Sequence, residues 1–214
     1  MYHFLILTSL PGNRPNIQNS AKFASMTNAL IAFLQPFRPI TEEDRGIIAA
    51  YFTPRVYKEG DYLFKGGKIC SELFFVITGI LRIVMINAKG IEVTHFFIKE
   101  NLFCTILNSF DNQLPADESI RAASDTEVLA ITRTGLLALY KELPYMKELI
   151  DRITQQRLLD KIRIRNAYLG QDSASRYKLF MELEPDIARQ VSLKDIASYL
   201  GITPQSLSRI RRRH

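Results

Sequence analysis

The apolar residues change their spacing along the chain, and each spacing predicts a different kind of element. Residues 30–36 and 41–51 show short helical patterns, and the second begins at Thr41 with acidic residues in its first turn. Short β-branched or aromatic runs follow, separated by glycine-containing turns, at residues 56–57, 62–64, 73–77, 80–86, 92–98, 119–122 and 127–131. Many short strands with turns of this kind predict a sandwich, barrel or jelly roll.

A helical pattern returns at Thr134, and residues 145–169 contain neither glycine nor proline. The apolar residues of this segment recur at steps of three and four: Met146, Leu149, Ile150, Ile153, Leu158, Leu159 and Ile162. A helix of about 25 residues is too long for a small β-domain to bury, and its narrow apolar stripe suits pairing with a second copy. The alternative is a helix that packs back along its own β-domain.

The end of the chain, residues 192–214, predicts a helix-turn-helix. Ser192 and Asp195 can cap a first helix, whose apolar side consists of Leu193, Ile196, Ala197 and Leu200. Gly201 supplies the turn. Thr203 can cap a second helix, and Pro204 fits its first position because a proline there loses no hydrogen bond.

The second of these helices has an apolar side, with Leu207 and Ile210, and a polar, basic side. The side that is predicted to be exposed carries Gln205, Ser206, Ser208 and Arg209, followed by Arg211, Arg212 and Arg213. Such a face is what a helix in the major groove of DNA requires. The alternative is an ordinary helical hairpin with a solvated end.

The charge of the chain is unevenly distributed. It has 28 Lys and Arg against 22 Asp and Glu, a net charge of +6. Residues 144–214 hold 14 of the basic and 8 of the acidic residues, so the whole excess lies in the part with the predicted hairpin. A localised positive charge of this kind is typical of phosphate contact.

The N-terminal segment and the cysteines bear on the compartment. We expect residues 1–26 to be a disordered extension or the product of a start assigned too early, because they are rich in turn-forming residues. The apolar run at residues 2–10 is too short for a bilayer and lacks the features of an export signal, so we expect a cytoplasmic protein. Cys70 and Cys104 stand apart in apolar strands, which predicts buried free thiols rather than a disulfide.

A helical lead-in, a strand-rich body, a long helix and a C-terminal hairpin, in this order, resemble the catabolite activator/fumarate-nitrate regulator (Crp/Fnr) superfamily of bacterial transcription factors. The body carries the family-like motifs Glu59-Gly60-Asp61, Gly67, residues 74–79, Gly90-Ile91-Glu92 and residues 119–131. The most specific stretch is residues 199–210, which are similar to the DNA-recognition signature of one large branch. The resemblance covers residues 28–214.

The resemblance implies an α+β fold with three parts. Residues 27–143 would form a double-stranded β-helix, the jelly roll of cyclic nucleotide-binding-like sensor domains. Residues 144–170 would form a dimerisation helix, and residues 171–214 a winged-helix-like helix-turn-helix domain that binds DNA. Many relatives continue beyond the recognition helix, so we expect either a natural end at His214 or the absence of a wing.

The chemistry for cyclic AMP is not carried over from the family. Relatives that bind it use a glutamate in a Phe-Gly-Glu turn for the ribose and an Arg-Ser pair for the cyclic phosphate. The matching residues here are Phe103-Cys104-Thr105 and Ala116-Asp117. Because the charge-assisted contact to phosphate is lost and Asp117 would repel it, we expect no cyclic AMP binding in the usual mode.

Phe103, Thr105 and Arg121 remain as the candidate effector pocket, and the effector itself is unknown. The alternative for Arg121 is a strand arginine that faces solvent or pairs with Glu118. Iron–sulfur members use a cysteine cluster near the N-terminus, and no cysteine precedes Cys70. We expect the isolated His95 to be structural rather than a haem ligand, and no cofactor or metal.

The function that follows is a homodimeric, sequence-specific DNA-binding transcription regulator, with RNA polymerase as a candidate partner. Gln205 and Arg209 would contact base edges. Thr203, Ser206 and Ser208 would contact phosphates, and the DNA-binding surface would be completed by Arg211, Arg212 and Arg213. Pro204 stands where the family often has a base-reading arginine, so the target site should differ from that of the cyclic-AMP-dependent members.

An enzyme is the main competing class. A β-roll also resembles the cupins, whose metal sites need clustered histidines, whereas the histidines here stand at positions 3, 95 and 214. The sequence contains no nucleophile elbow, Walker loop, paired Cys-x-x-Cys or dinucleotide fingerprint, so we expect no catalysis. A third class is a regulatory protein that uses the β-roll to bind a ligand or partner without specific DNA binding.

Overall fold

The computed structural model describes residues 17–212. In chain order, its elements are α1 (Ile17–Leu34), α2 (Glu42–Tyr51), β1 (Thr53–Tyr57), β2 (Tyr62–Phe64), β3 (Glu72–Thr78), β4 (Leu81–Ile86), β5 (Glu92–Ile98), β6 (Phe103–Cys104), α3 (Leu107–Asn112), β7 (Ser119–Ala122) and β8 (Thr126–Thr132). The helices that follow are α4 (Arg133–Glu142), α5 (Tyr145–Tyr168), α6 (Ser173–Leu183), α7 (Pro185–Gln190), α8 (Leu193–Leu200) and α9 (Pro204–Arg212).

The strands form a β-roll of two four-stranded sheets, with orders β1-β8-β3-β6 and β2-β7-β4-β5. All of the strand pairs are antiparallel. The interior is filled by alternate apolar residues, among them Phe64, Phe74, Leu81, Ile120 and Val128. Of the architectures that the strand pattern allowed, the jelly roll is therefore confirmed, as is the α+β class that the resemblance implies.

One turn of the roll requires glycine. Gly79 follows β3 with a φ of +83°, and a Cβ atom there would lie 2.3 Å from the backbone oxygen of Asp125. A side chain would therefore clash with the loop that leads into β8.

The helices at the start of the chain pack against one side of the roll. Met26, Leu30 and Leu34 of α1 are buried in a cluster that also contains Phe75 and Met146. The expected disordered extension over residues 1–26 is therefore wrong for residues 17–26, which are helical; residues 1–16 lie outside the described part of the chain. The polar composition that indicated disorder is accommodated because this helix exposes side chains such as Lys22, which binds Glu127 at 2.7 Å.

Helix α5 behaves differently along its two halves. Met146, Leu149, Ile150 and Ile153 in the first half are buried against α4 and the roll. In the second half, Leu158, Leu159 and Ile162 are 51%, 51% and 48% exposed. The first half therefore packs back along its own domain, whereas the apolar stripe of the second half is open.

The last helices form a small domain with its own core, which contains Phe180, Ile187, Ile196, Leu200 and Leu207. Ile80 and Ala123 of the roll belong to the same cluster, so the two domains share packed surface. Across residues 17–212, none of the helices combines the length and the apolar character that crossing a bilayer requires.

Candidate nucleic-acid interface and effector pocket

The geometry of the predicted hairpin follows from local capping. The Ser192 hydroxyl accepts a hydrogen bond from the backbone N–H of Asp195 at 3.2 Å, which fixes the start of α8. Gly201 ends α8 in the left-handed region with a φ of +67°. Thr203 Oγ1 accepts a hydrogen bond from the backbone N–H of Ser206 at 3.1 Å, which fixes the start of α9. The caps and the turn predicted from the sequence are confirmed.

The face of α9 that points away from the protein is polar and basic. Leu207 is buried and Ile210 is half-buried. The exposed residues of the predicted DNA-binding set are Thr203, Pro204, Gln205, Arg209, Arg211 and Arg212, and those half-buried are Ser206 and Ser208. No ion pair occupies Arg209, Arg211 or Arg212 within the described residues. The predicted DNA-binding residues thus share one surface, except that Arg213 lies outside the part of the chain that the structure describes.

The hairpin is held on the outer face of the roll by polar contacts that the sequence analysis missed. Arg82 of β4 forms ion pairs with Asp195 of α8 at 2.9 Å and with Glu92 of β5 at 2.7 Å. The backbone N–H of Thr94 donates to the Ser198 hydroxyl at 2.9 Å. A lone arginine within the apolar strand Leu-Arg-Ile-Val-Met-Ile was the available signal, because a charge buried in a strand needs a partner.

Arg121, one of the candidate effector-pocket residues, is already engaged. Its guanidinium lies 3.0 Å from a carboxylate oxygen of Glu92, donates to the Gly60 carbonyl oxygen at 2.8 Å and stacks on the Tyr62 ring at 4.7 Å. The expected alternative partner, Glu118, is therefore wrong: Arg121 pairs with Glu92, which lies on β5 of the same sheet. Burial alone would raise the pKa of Glu92, but Arg82 and Arg121 together lower it.

The other two candidate residues lie on the opposite side of the roll interior. The Phe103 ring packs against Phe75 at 5.0 Å, and Thr105 Oγ1 donates to the Glu72 carbonyl oxygen at 2.8 Å. Both line a cavity of about 590 Å³ between the roll and α5, which we call the roll cavity, and Arg121 does not. The three residues predicted as one pocket are thus not brought together.

The segment that matches the phosphate-binding turn of the family is closed. Ala116 is buried, and its carbonyl oxygen accepts a hydrogen bond from the backbone N–H of Gly67 at 2.7 Å. A Cβ atom on Gly66 would lie 2.9 Å from the backbone oxygens of Asp117 and Glu118. The backbone is therefore closely packed at this turn, and the residue expected to match the family's phosphate-binding arginine is the buried Ala116.

The burial and the neighbours of the two cysteines and of His95 bear on whether they form a reactive or metal-binding site. Cys70 and Cys104 are buried free thiols, as the sequence predicts, and burial raises the pKa of Cys104 to about 12. His95 is half-buried beside Phe96. Among residues 17–212 there is no group of three or more His, Cys, Asp or Glu side chains that could hold a metal ion.

Known proteins have sequences similar to that of the β-roll described above. Residues 54–142 match the family model of the cyclic nucleotide-binding domain. The cyclic AMP receptor protein of Thermus thermophilus is 24% identical over 183 residues, which cover 81% of this chain and 82% of that protein.

Two solved structures extend the likeness beyond residues 54–142. The c-di-GMP responsive global regulator CLP of Xanthomonas campestris has a TM-score of 0.64 at 18% identity, over 81% of this chain and 91% of the other. A Crp/Fnr-family regulator of Eubacterium rectale has a TM-score of 0.63 at 18% identity, over 81% and 83% of the two chains. The resemblance indicated by the sequence is confirmed: residues 54–142 match the cyclic nucleotide-binding domain, and the chain has the fold of the Crp/Fnr-type regulators.

Proposed function

We propose that this protein is a homodimeric transcription regulator that binds specific DNA sequences through α9. The observation that carries the proposal is the exposed, polar and basic face of α9, which projects from a hairpin that is itself packed on the rest of the molecule. A helix presented in this way can enter the major groove while α8 supports it from behind. The relatives named as regulators support the same function.

Base reading is assigned to Gln205 and Arg209. These residues are one helical turn apart, so their side chains extend from the same exposed side of α9. Glutamine can pair with two atoms of adenine and arginine with two atoms of guanine in the major groove. The hydroxyls of Thr203, Ser206 and Ser208 are assigned to phosphates, although Thr203 also caps the helix.

The arginines at the end of α9 supply attraction to any DNA sequence. Arg211 and Arg212 are exposed and unpaired within the described residues, and Arg213 and Pro204 complete the proposed surface. Unpaired guanidinium groups beside a helix that fits the major groove attract DNA phosphates. They strengthen binding to any DNA sequence without selecting a base.

Dimerisation is assigned to the second half of α5. Its exposed Leu158, Leu159 and Ile162 would be covered by the same residues of a second copy, which is the usual arrangement of a two-fold axis. The pairing would place two copies of α9 about 34 Å apart, which matches successive major-groove faces on one side of DNA. A near-palindromic site is therefore expected.

The effector is proposed to differ from cyclic AMP bound in the usual mode. Arg121 is committed to Glu92, and Thr105 is committed to a backbone carbonyl oxygen. Neither of the family's ribose and phosphate contacts is available from these residues, so a ligand of different chemistry is required.

Selection of genomic fragments on the purified full chain tests the proposal, followed by fluorescence anisotropy with the recovered sequence. We expect a specific site that binds at least about 1000-fold more tightly than random DNA, with affinity that falls steeply as salt increases. Lys178→Ala is the matched control for substitutions in α9, because Lys178 is an exposed cation of the same domain outside the hairpin. This variant should bind the recovered sequence as the unchanged protein does. Failure to enrich any sequence, with equal weak binding to all duplexes, would contradict the proposal.

A further inference from the structure

A second cavity lies where the β-roll, the end of α5 and the small domain of α6 to α9, which we call the hairpin domain, meet. This junction cavity has a volume of about 460 Å³, within the range of small-molecule sites. Its walls come from β5, from residues 161–169 at the end of α5, and from parts of α6 and α8. It adjoins the roll cavity at Phe97 and Lys161, but none of Phe103, Thr105 and Arg121 lines it.

Positive charge dominates the lining of the junction cavity. Lys161, Arg165 and Arg176 line it, and Glu184 is the carboxylate residue among the lining residues. Glu184 is already paired with Lys99 at 3.0 Å. Neither Lys161 nor Arg165 forms an ion pair with any of residues 17–212. An anion would therefore find uncompensated cationic side chains here.

Lys161 is held in an unusual environment for an ammonium group. Its Nζ atom lies 4.4 Å from the centroid of the Phe96 ring, and burial lowers its pKa. A charge that is partly removed from water, packs on an aromatic ring and forms no ion pair within the described residues is stabilised by an anionic ligand.

Two further polar atoms at the junction cavity lack partners. Tyr168 Oη and Arg176 Nε are buried and have no hydrogen-bond partner among the described residues. Arg176 uses another of its nitrogens, Nη1, to donate to the Leu200 carbonyl oxygen at 2.7 Å, which holds the side chain beside α8. Buried donors of this kind are unfavourable unless a water or a ligand oxygen accepts from them.

Aromatic rings form the apolar part of the wall. The Tyr199 ring lies 5.3 Å from Phe97 and 6.1 Å from Tyr168, with Phe180 at 5.7 Å on another side. Burial raises the pKa of Tyr199 to about 12, so its hydroxyl remains a neutral donor at physiological pH. Rings at these separations form an apolar wall on which a planar ligand can pack.

We propose that the junction cavity binds an organic anion that carries a planar ring. Lys161 and Arg165 contact the anionic group, Arg176 Nε and Tyr168 Oη donate to ligand oxygens, and the aromatic wall contacts the ring. Because α8 forms part of the wall and α9 follows it after a short turn, the bound ligand alters the position of the recognition helix. This regulatory consequence rests on the proposed DNA binding, whereas ligand binding itself does not.

Thermal denaturation of the full chain with chosen probes tests the binding step. AMP and salicylate combine an anionic group with a ring, adenosine has a ring without the charge, and inorganic phosphate has the charge without a ring. We expect AMP or salicylate to raise the Tm by about 5–10 °C at a concentration of about 100 times its Kd, and the other two to leave it nearly unchanged. Equal shifts with adenosine, or no shift with either ring anion, would overturn the proposal.

Variants assign the bound probe to this cavity. Arg165→Gln replaces an exposed side chain and should weaken the probe at least tenfold in calorimetric titration. Arg152→Gln is the matched control, because Arg152 is an exposed arginine of the same helix that lines neither cavity. Thr105→Val probes the roll cavity and should leave the affinity unchanged. Loss of binding in Thr105→Val but not in Arg165→Gln would overturn the assignment; no DNA is present, so this failure is distinct from a failure of DNA binding.

Discussion

The ion pair between Arg82 and Asp195 joins the β-roll to the hairpin domain, and breaking it should destabilise the whole chain. The side chains of the pair are 9% and 13% exposed, and their charged atoms are 2.9 Å apart. Arg82 also donates to Thr94 Oγ1 at 3.2 Å. Arg82→Met keeps much of the side-chain volume but leaves the carboxylate of Asp195 in a mostly buried position without its partner.

The expected magnitude follows from the burial of the pair. Removing one partner from a buried ion pair costs about 3–5 kcal/mol. Glu92, the other carboxylate beside Arg82, retains Arg121 at 3.0 Å, so the loss should lie near the lower value, about 3 kcal/mol. In a chain of this length such a loss corresponds to a fall of about 6–12 °C in Tm.

Urea unfolding followed by circular dichroism measures the free energy of unfolding for each variant. Lys147→Met is the control, because the pair of Lys147 with Asp151 is exposed and should contribute less than about 0.5 kcal/mol. The double variant Arg82→Met/Asp195→Leu removes both charges and should recover part of the loss. The reasoning fails if Arg82→Met lowers the free energy of unfolding by less than about 1 kcal/mol. It also fails if the loss in the double variant exceeds the sum of the losses in the two single variants.

Other expected outcomes concern DNA binding, assembly, backbone geometry and pH. Arg209→Ala should weaken specific DNA binding by about 1–3 kcal/mol and relax the preference at one base position, and an equal loss on random DNA would contradict base reading. Leu158→Lys should shift the protein from dimer to monomer in sedimentation velocity, since the residue is 51% exposed in one copy. Gly79→Ala should lower the free energy of unfolding by about 3 kcal/mol or more, because Gly79 has a positive φ and a Cβ atom there would clash with the backbone of Asp125. Gly46→Ala is the control: Gly46 lies inside α2 with open space around it, so this change should raise the free energy of unfolding by about 0.5–1 kcal/mol. The lowered pKa of Glu92 contributes stability that is present above its ordinary value of 4.5 and is lost as the pH falls through the lower folded value; acid titration of Glu92→Gln should show a smaller loss over that range.

The sequence determined those features whose contacts are local. The caps of α8 and α9 join residues three positions apart, and the turn depends on the conformational freedom of Gly201. The short β-branched and aromatic runs between glycine-containing turns likewise specified the strands of the roll. The exposure of Gln205 and Arg209 follows from the helical spacing of Leu207 and Ile210 in α9, while their contacts with DNA remain predictions.

The tertiary structure decided which distant side chains meet. Residues 17–26 are helical because Met26 and its apolar neighbours in α1 find a surface on the roll, whereas composition alone indicated a disordered segment there. Arg121 pairs with Glu92 rather than with its neighbour Glu118, because folding places β7 and β5 on either side of β4 in one sheet and brings residues that are distant in sequence within reach. The contact of Arg82 with Asp195 and the junction cavity both arise where two separately patterned domains pack. Their geometry depends on how those domains dock, which no local periodicity encodes.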